Sequence, residues 1–132
     1  MTAIVKKLGL KPGMRALVLA APSGYLKSLA PLPEGIVVSE TVGGTHGFVQ
    51  FFATKRCEIE KSKKKLLQFA DPGALVWITY PKKASGVESD LSREGVWAVM
   101  ESTGWRPVSQ IAIDEVWSAL RFRPIQDVKS HK

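Results

Sequence analysis

Runs of apolar residues recur along this chain, separated by stretches with helical spacing or turn chemistry. One of them, Ala74-Leu-Val-Trp-Ile-Thr-Tyr80, is apolar on both alternating sets of positions. That pattern marks a strand covered on both faces, as in the middle of a parallel sheet. Residues 16–21 are uniformly apolar in the same way and predict an internal strand over residues 14–20. Residues 35–39 and 48–53 predict two more strands. Residues 55–70 place Ile59, Leu66, Phe69 and Ala70 on one helical side, with Lys61, Lys64, Lys65 and Gln68 opposite. Residues 90–103 predict a second long helix with Leu91, Gly95, Ala98 and Val99 as its packing stripe. Asp90 is its N-cap and Gly104 its C′ residue.

Two shorter helices complete the first half. Residues 2–8 form one, capped by Thr2 and stopped at Gly9. The other follows Ser23, whose hydroxyl is a suitable cap, and carries Tyr25, Leu26 and Leu29 until Pro31 and Pro33 end it. Residues 107–113 and 117–123 predict two final strands. Only Asp114, Glu115 and Val116 separate them, too few for a crossover, so this pair is an antiparallel hairpin.

This order predicts an α/β fold: a small Rossmann-like three-layer sandwich, its mostly parallel sheet closed by a C-terminal antiparallel hairpin. Residues 1–125 are expected to form a single domain, with residues 126–132 as a polar tail.

Size agrees, since 132 residues make one ordinary domain and 45% hydrophobic residues suffice for a core. Cys57 is the sole cysteine, which excludes an internal disulfide framework and a cysteine-based zinc site. The N-terminal charges follow a very short apolar stretch, the wrong order for a secretory signal, and no apolar run approaches the ~20 residues of a membrane span. A cytoplasmic protein without membrane contact is expected. The 19 Lys and Arg against 12 Asp and Glu leave a charge of +7. Such a balance favours acidic partners: nucleic acid, phosphorylated metabolites or anionic surfaces.

Charge matters most where the pattern places it near strand ends. In doubly wound sheets ligands collect at the carboxyl ends of the strands, where Pro81, Lys82 and Lys83 follow Tyr80. The loop carrying these lysines is longer than ordinary strand-to-helix connections. Arg121 and Arg123 alternate with Leu120 and Phe122, so both share one strand face. Lys82, Lys83 and Arg121 are therefore candidates for holding a phosphate or carboxylate together. Alternatively, the arginines protect a sheet edge. Ser23 and Gly24, at the predicted helix start, are candidates for one more anion contact.

Other signals are weaker. The turn Ala20-Ala-Pro-Ser-Gly-Tyr25 lacks the glycines of a dinucleotide fingerprint and an acidic partner for a ribose. Gly43-Gly-Thr-His-Gly47 lacks the Gly-Lys-Ser/Thr ending of a phosphate-binding loop, and His46 reads as a loop histidine without a catalytic partner. The basic segment from Lys55 to Lys65 reads as a solvated helix face. Lys63 is the exception, because it falls near the apolar stripe and either snorkels or points into a cleft. Trp77, Trp97, Trp105 and Trp117 read as core or core-rim residues. No cofactor, metal site or catalytic residue is assigned from the sequence.

From Leu75 onward the chain resembles an uncharacterised family of short bacterial single-domain proteins. The residues that carry the resemblance are the Tyr80-Pro-Lys-Lys-Ala-Ser loop, Asp90-Leu-Ser-Arg93, Gly104-Trp-Arg-Pro-Val-Ser-Gln-Ile-Ala-Ile-Asp114 and the strand Trp117-Ser-Ala-Leu-Arg-Phe-Arg123. The resemblance implies a cytoplasmic stand-alone domain and no particular activity. It adds weight to Lys82, Lys83, Asp90, Arg93, Asp114, Trp117 and Arg121.

Three functional readings follow. The leading one is a non-catalytic Rossmann-like domain that binds an anionic small molecule or a partner's acidic surface through Lys82, Lys83, Arg121 and the Ser23 turn. The second is a degenerate methyltransferase-like enzyme, because the closing hairpin is similar to the end of that fold. The third is a nucleic-acid-binding accessory protein using the Lys55–Lys65 segment, although no recognition motif accompanies it.

Overall fold

The computed structural model describes residues 3–41 and 43–124. Its elements are α1 (Ala3–Leu8), β1 (Arg15–Leu19), α2 (Tyr25–Ser28), β2 (Val37–Ser39), β3 (His46–Phe52) and α3 (Arg56–Gln68). They are followed by β4 (Ala70–Pro81), a 3-10 turn (Lys83–Ser85), α4 (Arg93–Met100), a second 3-10 turn (Glu101–Thr103), β5 (Trp105–Ala112) and β6 (Trp117–Pro124). Among the described residues no helix is long and apolar enough to cross a membrane.

The strands form one sheet in the order β2-β1-β3-β4-β6-β5. β1 pairs in parallel with β2 and β3, and β3 with β4. β6 runs antiparallel to β4 on one side and to β5 on the other. The predicted Rossmann-like sheet closed by an antiparallel hairpin is therefore present, with the hairpin's second strand innermost. Burial explains this order. β6 buries Ser118, Ala119, Leu120 and Phe122 on both its faces, whereas β5 alternates with exposed residues along its length. The strand with the more deeply buried residues takes the interior. β5 contains Pro107 beside a register shift between Pro107 and Ser109, features tolerated at an edge.

Each face of the sheet has its own core. Leu17, Val49, Val76, Ile78 and Leu120 pack beneath Ile59 and Leu66 of α3 and Val96, Val99 and Met100 of α4. Ala16, Val18, Phe48, Trp77 and Ala119 pack on the other side against Val5 and Leu8 of α1 and Tyr25 and Leu29 around α2. Trp77 is fully enclosed there, and its Nε1 donates to the Leu8 carbonyl at 3.1 Å, as a buried indole requires.

A buried polar chain fixes the single turn of α2. The Tyr25 hydroxyl donates to Gln50 Oε1 at 3.0 Å, and Gln50 Nε2 donates to Thr79 Oγ1 at 2.9 Å. Gln50 and Thr79 lie on adjacent parallel strands, so one side-chain amide ties α2 to β3 and β4. Tyr25 also meets Phe52 edge-on, with centroids 4.6 Å apart, and Phe52 meets Trp117 likewise at 5.1 Å.

Several local expectations are corrected. The cap of α2 is Gly24 in left-handed conformation (φ 84°), and Ser23 makes no side-chain cap bond. Asp90 does not cap α4. Ser92 does, accepting from Gly95 N at 3.1 Å, while Asp90 accepts from Arg56 N at the start of α3. His46 opens β3 and is 2% exposed, rather than lying in a loop. Trp97 is 42% exposed on α4, outside either core. Thr2 and the tail residues 126–132 lie outside the described residues.

Candidate functional site

Parallel strands end on the same side of a sheet, so the carboxyl ends of β1, β2, β3 and β4 share one edge. Among the described residues, the sequence candidates there fall into a pair of clefts, separated by about two strand spacings, or roughly 10 Å.

The first lies beyond β1 and β2. Ala21, Pro22, Ser23, Gly24, Tyr25, Leu26, Lys27 and Glu40 enclose about 410 Å³. Ala20 opens the turn with φ 61°, a left-handed conformation otherwise adopted by glycine among the described residues. Such strain costs a non-glycine residue roughly 1–2 kcal/mol, and it collects where a fold shapes a site. Gly24 also has positive φ, but a Cβ added there would meet nothing within 4 Å. The turn is thus shaped by its backbone angles and does not press against other atoms. Glu40 immediately follows β2 and faces this turn across the cleft. Sequence reasoning missed it. The turn itself holds no acidic partner for a ribose, but pairing of β1 with β2 brings one from the end of the neighbouring strand. An acidic residue directly after the second strand was the available signal.

Tyr25 forms the inner wall of this cleft and is almost entirely buried. Burial, only partly offset by the hydrogen bond to Gln50, pushes its phenol up to about 12. The residue stays neutral and acts as a hydrogen-bond donor that anchors the turn.

The second cleft lies beyond β4. Pro81, Lys82, Lys83, Val87, Ser89, Asp90, Leu91 and Ser92 enclose about 380 Å³. The loop is pinned to the end of β3. Ser89 Oγ donates to the Thr54 carbonyl at 2.6 Å, Asp90 N donates to the same carbonyl, and Asp90 Oδ1 accepts from Arg56 N at 2.8 Å. Lys82 is half-buried, and its backbone N donates to the Val116 carbonyl; Lys83 is exposed. Among the described residues, neither lysine has a carboxylate partner, the single ion pair being Lys63 with Glu60.

The candidate residues are therefore divided. Ser23 and Gly24 line the first cleft, and Lys82 and Lys83 line the second. Arg121 joins neither. It sits opposite Trp77 in mid-sheet, four residues along β6 from Trp117, which is about 13 Å from the carboxyl edge. The helix expected after Ser23 is a single turn, so it supplies little dipole to an anion.

No protein-family model matches the chain, and no curated protein matches it in sequence. Solved structures do match its fold. A SAM-dependent methyltransferase from Aquifex aeolicus is 17% identical, with 90% of this chain and 86% of that chain covered at a TM-score of 0.58. DhpI, solved in complex with SAH, is 14% identical at a TM-score of 0.64, covering 92% of this chain and 82% of its own. The tRNA methyltransferase TrmK of B. subtilis is 7% identical at a TM-score of 0.57, covering 94% and 66%. At these identities the likeness is one of fold. The chain has a methyltransferase-like Rossmann fold.

Proposed function

We propose that this domain binds an adenosyl ligand of the S-adenosylmethionine or S-adenosylhomocysteine type in the first cleft. The observation that carries the reading is Glu40, placed at the end of β2 and facing the turn after β1. A carboxylate there is an acceptor for the two hydroxyls of a ribose. Ala21, Pro22 and Leu26 offer apolar surface, and Lys27 offers a cation for a ligand carboxylate. The residues fit the nucleoside better than they fit a phosphate, since the turn has a single glycine and one helical turn behind it. When bound, S-adenosylmethionine supplies an electrophilic methyl group. This chain's part is to hold the ribose at Glu40 and to keep the turn in place through Tyr25, Gln50 and Thr79.

The test is thermal unfolding and calorimetric titration with both ligands. A ligand at 100 times its dissociation constant stabilises the native state by about 2.7 kcal/mol, a shift of several degrees at this size. Glu40→Gln is expected to weaken binding by about ten- to a hundredfold, the worth of hydrogen bonds to a charged acceptor. Equal binding by Glu40→Gln and the unaltered chain, or no binding by either, rejects the reading.

A second reading keeps the domain as a non-catalytic anion binder. It is favoured by Lys82 and Lys83, which line the second cleft without a carboxylate partner among the described residues. There, inorganic phosphate is the probe, and Lys82→Ala is expected to abolish its binding.

A further inference from the structure

Three arginines on the last two strands remain unexplained by either cleft. Leu120 and Phe122 of β6 belong to the core beneath α3 and α4, whereas Ala119 and Trp117 pack on the α1 side. Alternation therefore places Arg121 and Arg123 on the α1 side of the sheet. Arg106 of β5 is registered with Arg123, and directly paired residues share a face. Its neighbour Trp105 packs on the α3 side, in agreement. Arg106 and Arg123 are about 5 Å apart at Cα, and Arg121 is about 7 Å further along its strand.

Edge protection does not account for Arg121 and Arg123, because β6 is paired on both sides. Nor do carboxylates: among the described residues none lies within ion-pair distance of the three. Arg121 Nε is one of two buried side-chain polar atoms that have no hydrogen-bond partner there. Burial first, and then the charge of Arg123, lowers the Arg121 pKa. Ser109, registered with Arg121, adds a hydroxyl on the same face. Arginines set side by side on one sheet face with no carboxylate partner among the described residues, two of them half-buried, are what a multivalent oxyanion satisfies, each fork offering two parallel N–H donors.

We propose that Arg106, Arg121 and Arg123 form a binding site for a phosphoryl anion carrying adjoining phosphates, on the α1 side of the β5–β6 ribbon. The site is separate from both clefts and does not depend on the adenosyl reading. Its compactness matches a diphosphate group better than the extended backbone of a nucleic acid.

The experiment titrates the full chain with inorganic pyrophosphate at constant ionic strength, with a single-stranded oligonucleotide in a parallel arm. Arg106 is exposed on the edge strand, so Arg106→Ala tests the site without disturbing the core. Arg106→Ala and Arg121→Met are each expected to weaken pyrophosphate binding by about tenfold or more. Lys64→Ala, which removes the same charge from the exposed face of α3, is expected to leave it unchanged. Loss of affinity in Lys64→Ala equal to that in Arg106→Ala would show only diffuse attraction to a basic protein and overturn the proposal. Binding that disappears in Lys82→Ala and persists in Arg106→Ala overturns it too, by moving the anion to the second cleft. An oligonucleotide that binds where pyrophosphate does not overturns the compact site.

Discussion

Lys63 shows how much one residue's role depends on its surroundings. Its sequence position near the apolar stripe of α3 left two destinations open, and the fold selects burial. Nζ donates to the Val99 carbonyl and to Ser102 Oγ, each at 2.8 Å, and pairs with Glu60. Val99 is in the last turn of α4, where carbonyls have no helical partner. Lys63 thus caps one helix from another, and its charge suits the negative end of the α4 dipole. Lys63→Met keeps the aliphatic stem and loses the cap, so a loss of about 1–2 kcal/mol in denaturant unfolding is expected. Lys63→Ala adds a cavity and is expected to cost about 2–4 kcal/mol. Glu40 makes the complementary point: its identity was plain in the sequence, but its relation to Ser23 and Gly24 required β1 and β2 to pair.

At the scale of elements, strands were read more accurately than caps. β1 and β4 were legible because a short run that is apolar on both faces is stable only where both faces are covered. The start of α4 was misread because Asp90 and Ser92 are both good caps, and local sequence does not say which helix each serves. The structure gives Ser92 to α4 and Asp90 to α3, which binds the second cleft's loop to the end of β3. Glu58 assists the same α3 start by accepting from Thr54 N and Lys55 N. Asp90→Ala is expected to destabilise by about 1 kcal/mol. Faster hydrogen exchange at Arg56 is the local signature to look for, and unchanged exchange there would contradict the capping role.

For the molecule as a whole, His46 sets a pH dependence. It is buried at the amino end of β3 with Nδ1 unpaired among the described residues. Desolvation, then the charge of Arg15, lowers its pKa against smaller opposing effects from the Phe69 carbonyl and Asp71. The unfolded chain therefore takes up this proton first as pH falls. Its contribution is fully present above the unfolded value of about 6.5, declines as pH drops from there towards the folded value, and levels off below it. Denaturant unfolding between about pH 8 and pH 5.5 is expected to show this slope. His46→Gln should flatten it, and an unchanged slope would assign the effect elsewhere. The sequence by itself determined the fold class, since alternating apolar runs and helical stripes fix which elements form and which faces they bury. It also fixed the closing hairpin, because three residues cannot make a crossover. Only the tertiary structure decided that β6 lies inside β5, that Lys82 and Arg121 are far apart, and that Arg106 joins Arg121 and Arg123. Strand order and register bring together residues far apart in the chain, and no local pattern encodes a pairing partner.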